Sequence, residues 1–566
     1  MQLIIPLSGV GQRFIDAGYT VPKPLIEVDG MPIIEHVVNL FPGETNVIFI
    51  CNDLHLKETN MREILEKIVP TCKIIEVPVK DRKGPVDAIL RAAGARIEGK
   101  YIISDTDEVI VSYCDYGTWW DYKDFLKNVR DSGADGAIPA YIGFHPHMLG
   151  SDNYAFMQYN QDDHHDEHDD HHDEHDDHYK WMTKIQEKKP FTSNKMNEYA
   201  SNGTYYFKTG IIMKKYFTEL IYRDIQIKGE YYVSMVYNLL IEDNLKVLIY
   251  EIDNMLQWGT PYDLEVYNMW SSYFDKKKSN APVINIYKDS KDKDNKETDS
   301  KKTHIILPMA GKGSRFSMVG YNTAKPFLPV DGLPMIVQAI NSLPRYDDEN
   351  TLSIITLQEH VNTYPQEFKL LREYYPYASI HEIANVTDGQ ATTCSIIIDT
   401  LDDETPVLIS ACDNGAYYNM EEYEKLVNDD TIDVIVWSFT NNPTSKLYPH
   451  MYAWLDVDET NTVNYVSVKK PLIYKPNVHA IIGTMLFKKS KIFKEGYKYI
   501  RENSIKTNGE YYVDDILNPL INMGYTVKVF PVDYYLCWGI PNDYKTYNYW
   551  EEFFNKCTWH SYSRLI

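Results

Sequence analysis

Arg13 and Lys23 stand ten residues apart, and Arg315 and Lys325 repeat that spacing 302 positions later. Each arginine closes a G-x-G-x-R run: Gly9 and Gly11 in LSGVGQRF, Gly311 and Gly313 in MAGKGSRF. Glycine lacks a Cβ, so backbone N–H groups in such a loop approach anionic oxygens closely. The arginine adds a bidentate contact to a phosphate. Each lysine is followed by proline. An ammonium there can offset the negative charge that builds on non-bridging oxygens during displacement at phosphorus. One G-x-G is often only a turn, and one lysine only a surface charge. Found twice at fixed spacing, the set reads as a phosphate-holding loop with its cations.

Carboxylates come next. Asp107 in YIISDTDE and Asp413 in VLISACDN, 306 positions apart, each follow a hydrophobic strand-like run. An acid at a strand end suits Mg²⁺ held against a triphosphate, although such aspartates also form turns. Asp105 gives the first copy a D-x-D, where the second has Ala411. Gly84 in GPVDAIL answers Gly389 and Gln390 in GQATTCSII. IQEKKP, with Lys188 and Lys189, answers VSVKKP, with Lys469 and Lys470. NGTYYFK at Gly203 answers IGTMLFK at Gly483, and the GEYY runs carry Glu230 and Glu510. QWGTP answers CWGIP, and the offset is 280 from Gly203 onward.

A repeat this long decides the architecture that must position these groups. The sequence divides into a first domain over 1–275 and a second over 303–566, joined by a charged linker at 276–302 that reads as disordered. The runs LIIPL, NVIFI, CKIIEV and YIIS are strand-like, with MPIIEHVVNLF and GPVDAILRAAGARI as helices between them. This alternation predicts an α/β fold: two tandem Rossmann-like domains, each a mostly parallel mixed sheet with helices on both faces. In such sheets ligands bind beyond the carboxyl ends of the strands. The aromatics Tyr267, Trp270, Tyr547 and Trp550 follow helical spacing and read as packing of a closing helix.

The bulk numbers exclude several classes. A net charge of -24 over 566 residues argues against nucleic acid or an anionic membrane as main partner. Ten of the acids lie in the His-rich stretch 161–178, and the balance stays acidic without it. That stretch is of low complexity and reads as a disordered insertion, with only loose metal binding expected. Seven cysteines without a C-x-x-C pair indicate neither a disulfide framework nor a zinc site, and a reducing, cytoplasmic setting fits. No apolar run reaches spanning length, and Met1 to Leu7 reads as a first strand rather than a leader.

Together, G-x-G-x-R-F, P-K-P, a strand-end Asp, E-K-K-P, G-E-Y-Y and W-G-T-P-x-D-L resemble the motifs of the sugar-phosphate nucleotidyltransferase family. The resemblance covers nearly all of both halves. It implies that a sugar-phosphate oxygen attacks the α-phosphorus of an NTP and expels pyrophosphate, with Mg²⁺ as cofactor. It further implies that the glycine loops, Arg13, Arg315, Lys23 and Lys325 hold the NTP phosphates. Gly84, Gly389 and Gln390 would lie against the base, and Asp107 and Asp413 would bind Mg²⁺. Lys188 or Lys189, and Lys469 or Lys470, would meet the sugar phosphate, while Glu230, Glu510, Gly203 and Gly483 would line the sugar pocket. The expected partners are therefore an NTP and a small phosphate, with no nucleic acid and no membrane; a homo-oligomer is compatible with this reading.

The chain departs from the family pattern at its second metal ligand, normally Asp or Asn, where Gln257 and Cys537 stand. Asp253 and Asp533, four residues earlier, are alternatives. A glycosyltransferase using Asp105–Asp107 as a D-x-D, or a non-catalytic regulatory half, are the competing readings.

Overall fold

The computed structural model describes residues 1–160, 179–279, 302–344, 352–440, 442–472 and 477–564. The acidic stretch 161–178 and residues 280–301 of the expected linker lie outside these. The chain forms two compact units, Met1–Ser272 with Phe553–Ile566, and Tyr273–Glu552. The closing helix of the first repeat, Pro261–Ser279, therefore runs past position 275, and residues 273–279 belong to the second unit. Side-chain bonding accounts for the shifted boundaries. In the second unit Lys277 pairs with Asp331 at 2.6 Å and donates to the Tyr547 hydroxyl at 3.1 Å. In the first, Trp559 edges onto His36 with ring centroids 5.3 Å apart, and the His560 ring bonds the Ser271 carbonyl at 3.1 Å.

The first unit is built on a ten-stranded mixed sheet. Strand Gln2–Leu7 lies between Val47–Asn52 and Val109–Ser112, parallel to both, and Lys73–Val77 extends the parallel set. Thr204–Phe207 is antiparallel and joins this set to Gly136–Tyr141, which runs parallel to Val247–Glu251. The second unit repeats the plan: His304–Met309 lies between Leu352–Leu357 and Val407–Ile409, with Val478–Phe487 as the antiparallel joint. Alternate residues along these strands feed two cores. Ile306, Ile355 and Ile409 enter one, while Ile305, Leu307 and Ile354 enter the other. A sheet apolar on both faces needs helices on both, which is the doubly covered fold expected.

One expected strand is wrong. Of YIIS only Tyr101 is paired, in a small hairpin of Arg96–Ile97 with Lys100–Tyr101. The strand beside Gln2–Leu7 is the next β-branched run, VIVS. Val109, Ile110 and Val111 there are all 0% exposed, whereas YIIS buries Ile103 but leaves Tyr101 49% exposed, so only the second run is buried on both faces as an interior strand is.

Two recurring motifs turn out to build the fold. Asp29–Gly30 and Asp331–Gly332 form the two-residue turns of the hairpins Glu27–Pro32 and Pro329–Pro334. All four residues have positive φ, as a type I′ turn requires. Tyr267 and Ser271 hydroxyls donate to Asp29, and the Tyr547 hydroxyl donates to Asp331 at 2.7 Å. Tyr267, Trp270, Tyr547 and Trp550 are all buried, as packing of the closing helices requires.

Candidate active site

The glycine loops follow the carboxyl ends of the central strands. Gly11 (φ 72°) and Gly313 (φ 61°) are left-handed, and each initiates a short helix carrying the arginine. A Cβ on Gly11 would sit 3.5 Å from Lys23 Cβ, and one on Gly313 would sit 3.6 Å from Lys325 Cβ. Each loop is thus seated on its lysine. Arg13 and Arg315 are exposed, and their charges are felt by Lys188 and Lys469. Each arginine therefore lies within electrostatic reach of the first lysine of its K-K-P run.

Lys23 is ion-paired with Asp115 and donates to the Gly259 carbonyl at 3.2 Å. Lys325 is ion-paired with Asp413 at 2.6 Å. Burial opposes the charge on Lys325, but the Asp413 carboxylate outweighs it and the ammonium is pushed up to about 12. The carboxylate of the first cleft is therefore Asp115, not Asp107. Strand register fixes this: Gln2 pairs with Val109 as His304 pairs with Val407, an offset of 298 that aligns Asp115 with Asp413. Asp107 precedes that strand, is exposed, and lies at the amino end of the sheet, where the Gln2 amide donates to the Glu108 carbonyl at 2.8 Å. The central strand spans about 20 Å, so that end is far from the glycine loop. Asp105 lies there too, paired with Lys214 at 2.7 Å, which removes the D-x-D from the cleft. The signal in the sequence was SYCDYG against SACDNG.

A two-stranded ribbon completes each cleft. Tyr116–Trp119 pairs with Asn254–Gln257, and Asn414–Tyr417 with Tyr534–Cys537. Tyr116 opposite Gln257, and Asn414 opposite Cys537, bring those side chains beside the aspartates. A Cβ on Gly259 would lie 3.2 Å from Gln257 Nε2 and 3.3 Å from Asp115 Oδ2. One on Gly539 would lie 3.1 Å from Asp413 Oδ2 and 3.7 Å from Cys537 Sγ. Asp253 and Asp533 sit past the far end of the ribbon, and Asp533 is paired with Lys276. They do not substitute as ligands.

Sequence reasoning passed over Asp263 and Asp543, the acids of W-G-x-P-x-D. Burial pushes each up to about 6, and Asp115 and Asp413 respectively add to the effect. Asp263 accepts from the Thr260 hydroxyl at 2.6 Å, and that hydroxyl oxygen caps the closing helix by accepting from the Asp263 amide at 3.2 Å. The second copy has Ile540 there, and the nearby Cys537 thiol instead partly offsets the effect of burial on Asp543. Burial holds that thiol protonated. For a hard cation, Asp115 and the Gln257 amide form a suitable oxygen pair in the first cleft. In the second, Asp413 and Asp543 suit it and the thiol does not. Among the described residues no group of three acid, histidine or cysteine side chains gathers, so phosphate oxygens and water would complete either shell.

The K-K-P lysines separate by exposure. Lys189 and Lys470 are exposed, while burial lowers both Lys188 and Lys469. Lys188 and Lys469 share a left-handed backbone, φ 59° in each. Such a conformation costs a non-glycine residue about 1 kcal/mol and persists only where surroundings impose it. Lys188 donates to the Tyr232 hydroxyl, which donates to Glu230 at 2.5 Å. Lys469 donates to the Met451 carbonyl and feels the charge of Glu510. Gly203 (φ 99°) is buried beside Tyr113 and Tyr116, and Gly483 (φ 90°) lies against Asn414 and Ala411.

Gly84 and Gly389 lie under the GEYY run. The Tyr231 amide donates to Lys83 O and the Tyr511 amide to Asp388 O, each at 2.9 Å. Gln390 borders a cavity of about 170 Å³ together with Gly311, Gly313, Lys325, His360 and Asp413. In the first unit Arg82 lies over the start of the glycine loop, its Nη1 3.4 Å from Ser8 Oγ. His55, which recurs as His360 at an offset of 305, touches Asn52, whose amide donates to the Gly9 carbonyl at 3.4 Å. That histidine pair was legible as a repeat and was missed.

Residues 4–170 match the family model described as the MobA-like NTP transferase domain. The resemblance read from the motifs is borne out over that stretch, and nucleotidyl transfer is the activity class of the matched domain. No curated protein matches the chain. Among solved structures, the chain is similar to a nucleoside-diphosphate-sugar pyrophosphorylase from Vibrio cholerae RC9, at 19% identity and TM-score 0.36, over 47% of this chain and 99% of that one. It is similar to the inositol-1-phosphate CTP transferase from T. maritima, at 15% identity and TM-score 0.34, over 46% and 98%. It is also similar to the UTP-bound UGPase from Acinetobacter baumannii, at 17% identity and TM-score 0.34, over 49% and 93%.

Proposed function

We propose that each unit transfers a nucleotidyl group from an NTP to a sugar phosphate or similar small phosphate, giving a nucleotide-activated product and pyrophosphate. The observation that carries this is the lysine–aspartate pair set against a glycine loop in both units. The family match over residues 4–170 supports it for the first unit.

In this reading the loop N–H groups, Arg13 and Lys23, or Arg315 and Lys325, take the triphosphate. The lysine would leave its aspartate for phosphate oxygens, which frees the carboxylate as a ligand. Asp115 with Gln257, or Asp413 with Asp543, would hold Mg²⁺, which would supply charge neutralisation of the phosphates. Lys188 or Lys469 holds the incoming phosphate, with Gly203 and Glu230, or Gly483 and Glu510, lining the acceptor pocket. An acceptor oxygen forms a bond to the α-phosphorus as the bond to the bridging oxygen breaks, and its electron pair leaves with pyrophosphate. The phosphate nucleophile is already anionic, so no general base is required. Positioning and charge neutralisation provide the rate.

The chain is acidic and, among its described residues, no helix is long and apolar enough to cross a membrane. We assign it small-molecule partners and a reducing, cytoplasmic setting. The test is pyrophosphate release across a panel of NTPs and small phosphates with Mg²⁺. Transfer from a ready-made nucleotide sugar without pyrophosphate would replace this reading with the glycosyltransferase one.

A further inference from the structure

We propose that each cleft is held in shape by residues encoded in the other repeat: the segment 553–564 braces the first cleft, and Lys277 braces the second. What the clefts do rests on the nucleotidyl-transfer reading above, whereas the bracing itself is a matter of packing.

Two pieces of chain must stay in register for the first cleft to work. One carries Lys23, in the short helix Lys23–Leu25, and continues into the hairpin at 27–32. The other carries Gly259, whose carbonyl accepts from Lys23 at 3.2 Å, and Asp263 in the first turn of the closing helix. Asp29 ties the two together, accepting from the Tyr267 hydroxyl at 2.7 Å and from Ser271, both on the closing helix. His36 ties them again. Its ring bonds the Val28 carbonyl at 2.8 Å and packs on Trp258 with centroids 5.3 Å apart.

The segment 553–564 covers both ties, although it follows the second repeat in the chain. Trp559 lies 5.3 Å from the His36 ring, and its indole N–H donates to the Tyr267 hydroxyl at 3.4 Å. The His560 ring bonds the Ser271 carbonyl at 3.1 Å, and Phe554 packs on Tyr267 at 5.7 Å. Phe553, Phe554 and Cys557 are fully buried and belong to the first unit. Removing this cover admits water to Tyr267 and Ser271, and water competes for the hydrogen bonds that hold Asp29.

The second unit has the same framework and one change that calls for a donor from elsewhere. Tyr547 donates to Asp331 at 2.7 Å and packs on Trp538 at 5.7 Å, and Gln338 donates to the Val330 carbonyl at 3.2 Å. Where the first repeat has Ser271, the second has Glu551, which as a carboxylate has no proton to donate. Lys277 supplies one instead. Buried, it pairs with Asp331 at 2.6 Å and donates to Tyr547 at 3.1 Å. It lies on the closing helix of the first repeat but belongs to the second unit.

The test uses the full chain, with Lys325→Ala isolating the first cleft and Lys23→Ala the second. Trp559→Ala, and separately removal of residues 558–566, should lower kcat for pyrophosphate release at the first cleft by on the order of tenfold or more. Acceptor KM should hold, because Lys188 stands on other elements, and the second cleft should keep its rate. Trp559→Phe, which keeps a ring against His36, should recover most of the loss. Lys277→Met should do the reverse, lowering the second cleft and sparing the first. Hydrogen exchange reads the bracing without activity: both changes at 558–566 should speed exchange at 27–32 and leave 329–334 unmoved. Equal loss at both clefts, loss at the second alone, or unchanged exchange at 27–32 overturns the inference. A parent chain that releases no pyrophosphate from any NTP and acceptor overturns the nucleotidyl-transfer reading instead, and exchange still decides the bracing.

Discussion

The Lys325 ammonium lies 2.6 Å from the Asp413 carboxylate, and Lys23 makes the same pair with Asp115. Each side chain holds the charge that its partner's ligand would otherwise supply, a phosphate for the lysine and a cation for the aspartate. Without nucleotide, the pair spares the cleft an uncompensated charge, which is costly in a partly buried site. With nucleotide, the two charges separate onto ligands of opposite sign.

Lys23→Ala and Lys325→Ala should each remove release at their own cleft by about 10²–10³-fold, the range for loss of one charge-stabilising group. With two working clefts, each single variant keeps a substantial share of total pyrophosphate release and the double variant falls to background. Release lost entirely in one single variant would assign catalysis to that unit alone.

Asp115→Asn should abolish Mn²⁺ uptake by the first cleft, read by electron paramagnetic resonance with a non-hydrolysable NTP and with the second cleft silenced by Asp413→Asn. Asp107→Asn in the same background should leave that signal intact, because its side chain lies at the opposite end of the sheet from the glycine loop. Equal loss in both variants would refute the assignment.

Much of this site was legible because the chain states it twice. The spacing of Gly9, Arg13 and Lys23 survives duplication unchanged, and the strand–loop–helix order follows from β-branched runs alone. The failure at Asp107 shows where such reading stops. YIISDTDE and VIVSYCDYG are both β-branched runs leading to an acid, and hydrophobic pattern cannot choose between them. Only pairing with Gln2–Leu7 does so, and pairing is a long-range property. Asp263 and Asp543 were hidden differently: their spacing reads as a helix start, and the turn that carries them to Asp115 and Asp413 is set by the ribbon.

Gly389→Ala should cost the second unit about 3 kcal/mol, the scale of overpacking added to left-handed strain. Its new Cβ would lie 2.4 Å from both the backbone nitrogen and oxygen of Tyr511, at φ 144°. Gly84→Ala, at 2.9 Å from Tyr231, should cost less. Gly332→Ala meets nothing within 4 Å and should show only the penalty of its φ of 77°, about 1 kcal/mol. Urea denaturation of the three variants gives the order, and a Gly332→Ala loss as large as that of Gly389→Ala would contradict it.

The last prediction concerns pH. Burial raises Asp543 to about 6, so between roughly pH 4, where an unfolded carboxylate titrates, and pH 6 the native state keeps a proton that the unfolded state has released. A state that binds more protons is favoured at low pH, so this group's effect on stability worsens as pH rises through the window and levels off above it. The full shift corresponds to at most about 3 kcal/mol, and partial solvent access brings it nearer 1 kcal/mol. Asp543→Asn removes the titration. It should therefore unfold at higher urea than the parent at pH 7, match it near pH 4, and bind less Mn²⁺ in the second cleft. Urea midpoints measured from pH 4 to 7 that run parallel for the two chains would show that Asp543 is ordinarily ionised and is not the buried acid described here.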